Sequence, residues 1–312
     1  MNYFFIFPIS FLFSVVLIFV LRKVGIKYRL YDEPTEDILK IHKTPTIYLG
    51  GFGIFLVFSI LLLIFSCFKG FLNWKIGGII LAGFLIFFLG FWDDFKWKRI
   101  EIKPKKKFLF LILFSLLATA ILFAINIKIQ FFPNIFSGFI LTFLYIFVLI
   151  NAVNYQDGID GLAGGEVIIS LLGFIVLSII LGNNLALIIS LILFGAVLGF
   201  LVFNFPPAKI FMGDSGSYFL GFLLAVLAMI FSKPHNFPSF LGPIFIIGLP
   251  IFDGVFTNIR RLFKKKSIFL GDRRHFYDRL VFQRGFSLKK TLLICYSIQV
   301  IFVVIGLLIF KL

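Results

Sequence analysis

The stretch NAVNYQDGIDGLAGG, residues 151–165, sets two asparagines and two aspartates between two long apolar runs. Residues 139–150 precede these polar side chains and residues 167–181 follow them, and both runs are almost wholly apolar. A carboxylate close to hydrocarbon is costly in free energy unless it is paired, hydrated or bound to a cation. The stretch therefore predicts two apolar segments joined by a polar turn whose function offsets that cost.

The apolar character extends over the whole chain of 312 residues, of which 61% are hydrophobic and 14% charged, with a mean hydropathy of +1.09. Ten largely apolar runs of about 17 to 22 residues are each long enough to cross roughly 30 Å of hydrocarbon. We expect an all-α polytopic membrane protein with about ten transmembrane helices, forming a single integral-membrane domain over residues 1–312. The runs are approximately 3–21, 47–68, 76–92, 108–125, 135–153, 161–181, 185–205, 213–232, 240–258 and 291–310. The run 3–21 has no basic residue before it and no small-residue cleavage site after it. We therefore expect it to be a retained helix and not a cleaved signal peptide.

The distribution of basic residues orients this predicted bundle. Alternate loops, at 22–46, 94–107, 154–160, 206–212 and 259–290, carry all but five of the 30 Lys and Arg residues. By the positive-inside rule these loops face the cytoplasm, and both termini lie on the non-cytoplasmic side. The five exceptions, on the other side, are Lys69, Lys75, Lys128, Lys233 and Lys311.

All 14 Asp and Glu residues lie on the same predicted cytoplasmic side, in its loops or at the adjoining helix ends. The net charge of +16 is explained by topology and by attraction to anionic lipid, so no nucleic acid partner is expected. The positive-inside rule is nearly indifferent to acids, however, and does not explain their crowding. Crowding of both signs predicts an active site on the cytoplasmic face that is suited to metal-assisted phosphate chemistry.

Two acidic motifs are candidates for this site. In FWDDFKWKR, Asp93 and Asp94 end the third run and would point about 100° apart on a helix, so that one contacts a cation or reacting group while the other orients its neighbours. Asp157 and Asp160 share one face if their turn is helical, with Asn154 one further step back, and such oxygen ligands suit Mg²⁺. The alternatives are a solvated helix end for the first motif and helix capping for the second.

Two further stretches could contribute to the same face. In FMGDSGS, Asp214 begins the eighth run, where it either caps the helix or binds a metal while the helix N–H groups face phosphate. In IHKTPTIYLGG, Lys43 and Thr44 stand where they could reach a ligand, although they would also pass as ordinary loop residues.

The longest predicted loop contains GDRRHFYDRLVFQRGFS, residues 271–287. Arginines here are suited to bidentate capture of phosphate oxygens. A juxtamembrane patch for anionic lipid is the alternative, but such a patch has no need of the interspersed His and Asp residues. The candidate donors are Arg273, Arg274, His275, Arg279 and Arg284.

In their order and spacing, KTPT…GG, DD, NAVNYQDGIDGLAGG, FMGDSGS and the basic His-containing loop resemble the polyprenyl-phosphate N-acetylhexosamine-1-phosphate transferase family. That family includes MraY and the WecA/TagO enzymes, and the resemblance covers nearly the whole chain. It implies ten helices in the bacterial inner (plasma) membrane, with both termini outside and a cytoplasmic active site. It also implies a reaction that requires Mg²⁺, with Mn²⁺ as an alternative ion. Undecaprenyl phosphate attacks the β-phosphate of a UDP-amino sugar, giving undecaprenyl-diphosphate-sugar and UMP.

The resemblance also implies roles for individual residues. Asp93 would contact or deprotonate the lipid phosphate, with Asp94 supporting it, and Mg²⁺ would be bound by Asn154 and Asp214. The residues implied in nucleotide binding are Asp157, Asp160, Phe211, Lys43 and Thr44. Those implied in pyrophosphate binding are Arg274, His275, Arg273 and Arg279.

The motif RRHFYDRL departs from the family pattern and narrows the choice within it. MraY proteins carry a triple-His stretch followed by Glu, and WecA-type enzymes a His-x-His-His pattern whose later positions are Tyr277 and Asp278 here. We therefore expect a WecA/TagO-like initiating transferase, with UDP-GlcNAc the first choice of substrate and the MraY reaction as an alternative.

A transporter is the alternative from another class, but no internal repeat is visible and the acids avoid the membrane centre. A non-catalytic scaffold would not need Asn154 and Asp214. A homodimer through glycine-rich helix faces stays open.

Overall fold

The computed structural model describes residues 3–33, 45–68, 73–97, 103–132, 134–264 and 273–311. Lys43 and Thr44, predicted to bind nucleotide, lie outside the described residues. The elements in chain order are α1 Ile6–Lys27, β1 Tyr31–Asp32, β2 Thr46–Ile47, α2 Gly50–Phe68, α3 Trp74–Trp92 with a π-helical turn Asp93–Trp97, α4 Pro104–Ala124, α5 Ile135–Gln156, α6 Leu162–Ile180, α7 Asn184–Asn204, α8 Gly213–Phe231, α9 Phe237–Ile246, α10 Gly248–Phe263, α11 Phe276–Asp278 with a π-helical turn Arg279–Gln283, and α12 Leu288–Lys311.

The predicted class, an all-α polytopic membrane protein, is confirmed. Judged by length and composition, nine helices within the described ranges are long and apolar enough to cross a membrane, and the bent pair α9–α10 makes ten if it counts as one span. In this part of the chain the only sheet is an antiparallel pair, with Tyr31 opposite Ile47. The orientation of the termini and the single-domain assignment stay predictions.

The bundle is organised around α8, the most buried of the long helices. In its most apolar window 83% of the residues are buried, against 28% for α1, α4 and α12, which expose apolar side chains suited to contact with lipid. Helices α2, α3 and α5 pack against α8. Because α8 begins at Gly213 and α3 ends beside it, the central packing brings two of the acidic motifs to one end of the bundle.

The ninth predicted span, 240–258, is two helices, because the chain bends by 87° between α9 and α10. Pro250 lacks an N–H group, so the carbonyl of Ile246 has no helical donor four residues along. The side chain of Gln299 in α12 replaces the missing bonds: its Nε2 donates to the Ile246 carbonyl at 2.8 Å, and its Oε1 accepts from the Leu249 N–H at 2.9 Å. Two backbone groups at the bend are therefore satisfied from a neighbouring helix.

Candidate active site

Asp94 connects the end of α3 to the start of α8. It is 3% exposed, and its two carboxylate oxygens accept the N–H groups of Asp214 and Ser215, each at 3.0 Å. Helix α8 has no capping side chain of its own, and a carboxylate is favourable at the positive end of a helix. The alternative of a solvated helix end is wrong for this motif, because Asp94 caps α8 from another helix and thereby positions Asp214.

The side chain of Asp93 has different partners from that of Asp94. Its carboxylate forms an ion pair with the Lys107 ammonium of α4 and lies against the carboxylate of Asp214. Two carboxylates in contact are unfavourable without a nearby positive charge, and Lys107 supplies one. The sequence did not single out Lys107, because it is one of four lysines in KPKKK, and nothing in that run shows which of them turns inward.

Asn154 completes this group from the last turn of α5. Its amide nitrogen donates to Asp214 Oδ1 at 2.9 Å and to Ser217 Oγ at 3.0 Å. The structure thus brings together the two residues predicted to bind Mg²⁺ and the acid predicted to meet the lipid phosphate.

The carboxylate of Asp214 and the amide oxygen of Asn154, the predicted ligands, fit a magnesium ion, and the Asp93 carboxylate lies beside them. Mg²⁺ is commonly held by one or two carboxylates, with water and substrate phosphates completing its shell. Among the residues that the structure describes, no group of three or more His, Cys, Asp or Glu side chains forms a metal cluster. Two carboxylates with an amide are consistent with a substrate-completed site, and the metal assignment stays a prediction.

Asp157 and Asp160 lie in a turn between α5 and α6, so the shared helical face considered for them is wrong. The turn ends at Gly161, directly before α6, with a φ of +79°, a conformation that favours glycine. Asp160 Oδ2 instead accepts the N–H of Ala208 at 2.9 Å. The turn is therefore held against the segment that leads into α8.

Asn204 at the end of α7 strengthens this connection, although no motif or spacing in the sequence singles it out. It is buried; its Oδ1 accepts the Gly161 N–H at 3.0 Å and its Nδ2 donates to the Ile210 carbonyl at 2.9 Å. Phe211 is next in the chain, and its N–H donates to the Ile47 carbonyl of β2 at 2.7 Å. Asp160 and Phe211, both predicted to bind nucleotide, thus belong to one hydrogen-bonded assembly.

The arginine loop, residues 273–284, is anchored to α10 through Asp253. Asp253 Oδ2 bonds to His275 Nδ1 at 2.8 Å and accepts from Gln156 Nε2 at 3.1 Å, while its Oδ1 accepts the Phe276 N–H at 2.8 Å. His275 is buried, so it orders the loop as well as being a predicted ligand for pyrophosphate. Asp253 was not selected from the sequence, because its partners are distant in the chain.

The three arginines predicted for pyrophosphate differ in their surroundings. Arg273 pairs with Asp278 at 3.3 Å, Arg274 accepts a bond from Arg260 through its carbonyl at 2.6 Å, and Arg279 is exposed. Burial raises the pKa of the Asp278 carboxyl above its ordinary value, and the Arg273 guanidinium and the hydrogen bond from the His275 backbone N–H partly offset that rise. Their role towards pyrophosphate stays a prediction.

A groove of about 480 Å³ opens beside the paired acids, between α4, α5 and α10. Lys107, Asn151 and Arg261 are among its polar lining residues. Its walls are otherwise largely apolar, with contributions from Leu111, Phe147, Val148, Ile251, Val255 and Leu262. An apolar groove with a lysine that pairs with Asp93 is suited to a ligand with a hydrocarbon chain and an anionic head.

Comparison with known proteins identifies the family of the chain. The model of glycosyl transferase family 4 matches residues 76–232. A Bacillus subtilis protein named "Probable undecaprenyl-phosphate N-acetylglucosaminyl 1-phosphate transferase" is 32% identical over 306 residues, covering 95% of this chain and 82% of its own length. The phospho-N-acetylmuramoyl-pentapeptide-transferase of Dictyoglomus turgidum is 34% identical, covering 74% of this chain and 76% of its own. The enzyme of that name from Streptococcus pneumoniae is 34% identical, with coverages of 69% and 71%. The chain therefore belongs to glycosyl transferase family 4, the polyprenyl-phosphate N-acetylhexosamine-1-phosphate transferases that its motifs resemble.

Proposed function

We propose that this protein transfers N-acetylglucosamine 1-phosphate from UDP-GlcNAc to undecaprenyl phosphate, at the cytoplasmic face of a bacterial inner membrane and with Mg²⁺ bound. The products are undecaprenyl-diphosphate-GlcNAc and UMP, and the lipid-linked sugar initiates a cell-surface glycan. The observation that carries this proposal is the meeting of Asp93, Asp214 and Asn154 at the Lys107 end of an apolar groove. The relative that covers 95% of the chain is named for this sugar.

The groove and the acidic residues would bind different parts of the lipid substrate. The hydrocarbon chain would lie along the apolar walls, and its phosphate would meet the Lys107 ammonium, which now neutralises Asp93. Because a lipid phosphate is already largely ionised near neutral pH, Asp93 need only orient it or accept its last proton. Asp93 and Lys107 are therefore expected to act as one positioning pair.

The nucleotide substrate would enter from the other side of Asp214. The turn and the segment that leads into α8 carry Asp157, Asp160 and Phe211. A uracil ring would form hydrogen bonds with the aspartates and stack on the phenylalanine there. A Mg²⁺ ion held by Asp214 and Asn154 would neutralise charge on the diphosphate. Arg274 and its neighbours would donate to the same phosphates from the arginine loop.

The bond changes follow from this placement. An oxygen of the lipid phosphate forms a bond to the β-phosphorus of UDP-GlcNAc, and the bond from that phosphorus to the bridging oxygen breaks. UMP leaves with the bridging oxygen and its electron pair. Phosphoryl transfer of this kind depends on alignment and on charge neutralisation more than on covalent catalysis, which is what the described side chains can supply.

The test is release of UMP by the purified protein with undecaprenyl phosphate and Mg²⁺, offered UDP-GlcNAc, UDP-GalNAc and UDP-MurNAc-pentapeptide in parallel. Turnover with UDP-GlcNAc is expected. Turnover with the pentapeptide alone would replace the proposal with the MraY reaction, a result that two of the relatives above would favour. No release with any of the three would contradict the proposal.

The metal assignment is tested in the same assay by Asp214→Asn. We expect turnover to fall by at least ~100-fold, because the amide removes a charged ligand but keeps its shape. Excess EDTA should abolish wild-type turnover and Mg²⁺ should restore it. Near-normal activity of a folded Asp214→Asn protein would contradict the assignment.

A further inference from the structure

The acidic turn between α5 and α6 is held at both ends by tyrosine hydroxyls from other parts of the chain. The Tyr277 hydroxyl, in the arginine loop, donates to the carbonyl of Tyr155 at 3.0 Å. The Tyr296 hydroxyl, in α12, donates to the carbonyl of Gly161 at 2.6 Å. The backbone is thus bonded two residues before Asp157, at the end of α5, and one residue after Asp160.

Two glycines allow these tyrosines to approach so closely. A Cβ atom at Gly158 would overlap the Tyr277 hydroxyl, and one at Gly165 would overlap the Tyr296 hydroxyl and ring. The glycines of DGIDGLAGG are therefore matched to two specific aromatic side chains. Only a residue without a side chain lets the rings lie against the backbone at these points.

The Tyr277 hydroxyl is suited to act as a permanent donor. It is 4% exposed, and burial raises its pKa well above the usual range, with Asp278 and, to a smaller extent, Asp253 and Asp157 adding to the rise while Arg273 opposes it. The hydroxyl therefore stays protonated at neutral pH. The same hydroxyl lies against Gly158, the residue that follows Asp157 in the chain.

We propose that Tyr277 and Tyr296 are positioning residues that hold Asp157 and Asp160 in the geometry that binds the uridine nucleotide. This inference rests on the proposed function. It also gives Tyr277 a reason to stand at a position where WecA-type enzymes carry a histidine: an imidazole is shorter than a phenol and would end short of the Tyr155 carbonyl. The arginine loop and the nucleotide turn would then move as one unit.

The test uses full-length protein with the single variants Tyr277→Phe and Tyr296→Phe, their double variant, and Tyr277→His. Tyr145→Phe is the matched control, because the Tyr145 hydroxyl is buried in α5 and has no hydrogen-bond partner among the described residues. Two quantities are measured: the KM values for UDP-GlcNAc and for undecaprenyl phosphate from UMP release, and hydrogen–deuterium exchange of the peptide covering residues 155–161.

Each Phe variant should raise the KM for UDP-GlcNAc by about 3- to 10-fold, as expected for the loss of one hydrogen bond. The KM for undecaprenyl phosphate should stay within about 2-fold, and exchange at 155–161 should become faster. Tyr277→His should behave like Tyr277→Phe, and Tyr145→Phe like the wild type. The double variant should show the larger effect on both quantities.

Three results would each overturn a different part of the proposal. Unchanged exchange in both Phe variants would overturn the anchoring of the turn. Faster exchange with an unchanged KM for UDP-GlcNAc, in a protein that turns over, would overturn its role in nucleotide binding. A wild-type protein that releases no UMP would overturn the proposed function and the nucleotide role with it, while the exchange data would still decide the anchoring.

Discussion

At the scale of single residues, the adjacent acids Asp93 and Asp94 have different roles because their carboxylates contact different groups. Asp93 meets Lys107 and Asp214, whereas Asp94 binds the first N–H groups of α8. A carboxylate that caps α8 from the end of α3 fixes the place of Asp214 through the backbone of α8. Removing it should therefore disturb the site through Asp214.

Asp94→Ala should lower turnover by at least ~10-fold, because misplacing a reacting group by about 1 Å can cost as much as 100-fold in rate. It should also lower Tm by a few degrees, as loss of a helix cap costs about 1 kcal/mol. Asn73→Ala is the control, since Asn73 caps α3 through the N–H groups of Lys75 and Ile76 at 3.0 and 3.3 Å. Similar loss of turnover in both variants would mean that Asp94 acts through general stability alone.

Lys107→Gln should raise the KM for undecaprenyl phosphate by ~10-fold and leave the KM for UDP-GlcNAc little changed. The reason is that Lys107 lines the groove while it pairs with Asp93, so its charge is placed for a lipid phosphate. Lys106→Gln, at an exposed position of the same basic run, should have no effect. UMP-release kinetics with each substrate varied in turn measure both constants. A rise confined to the KM for UDP-GlcNAc would assign Lys107 to the other substrate.

At the scale of elements, the bend between α9 and α10 sets the position of one wall of the site. Helix α10 carries Asp253, which orders the arginine loop, and it lines the groove with Val255 and Leu262. The bend depends on Gln299, which is wholly buried and reaches two backbone groups that Pro250 and the break leave without helical partners. A single side chain of α12 thus supports the geometry of α10.

Gln299→Leu should lower Tm by several degrees, because it leaves one buried N–H and one buried carbonyl unsatisfied at about 1 to 3 kcal/mol each. Turnover should fall with it, since α10 would lose its fixed direction. Ser297→Ala is the control on the same helix, where an exposed hydroxyl only bonds to the Leu293 carbonyl of its own turn. Thermal unfolding in detergent and UMP release test both expectations. A Leu variant that matches the wild type in both would show that the bend holds without Gln299.

At the scale of the whole molecule, hydrocarbon thickness made the helices of the bundle predictable, whereas the contacts between distant residues in the site were not. The predicted run 47–68 corresponds to α2, Gly50–Phe68, because the width of a bilayer fixes how long an apolar helix must be. Asp94 and Asp214 are 120 residues apart, and no periodicity connects a cap to a helix at that separation. The motifs and their resemblance to the family singled out those two acids. The parts played by Lys107, Asn204 and Asp253 became visible only from the packing of the helices in the structure.

The orientation of that bundle is the remaining expectation of the charge pattern, and two native thiols allow it to be measured. Helix α2 starts beside β2, on the side of the basic loops, and its 19 residues extend about 28 Å, enough to cross the hydrocarbon. Cys67, at its far end, is exposed and should react with a membrane-impermeant maleimide on intact cells with accessible plasma membranes, whereas the buried Cys295 should not. Cys67→Ser should abolish that labelling.

Lys289→Cys in the Cys67→Ser background provides the opposite report. Lys289 is exposed at the start of α12, on the side predicted to face the cytoplasm, so its thiol should be labelled only after the membrane is permeabilised. The site described above lies on the same side as this residue, at the ends of α3, α5 and α10. If the engineered cysteine is labelled in intact cells, while Cys67 of the unmodified protein is labelled only after permeabilisation, the bundle is inverted and the acids lie outside, away from cytoplasmic UDP-sugars.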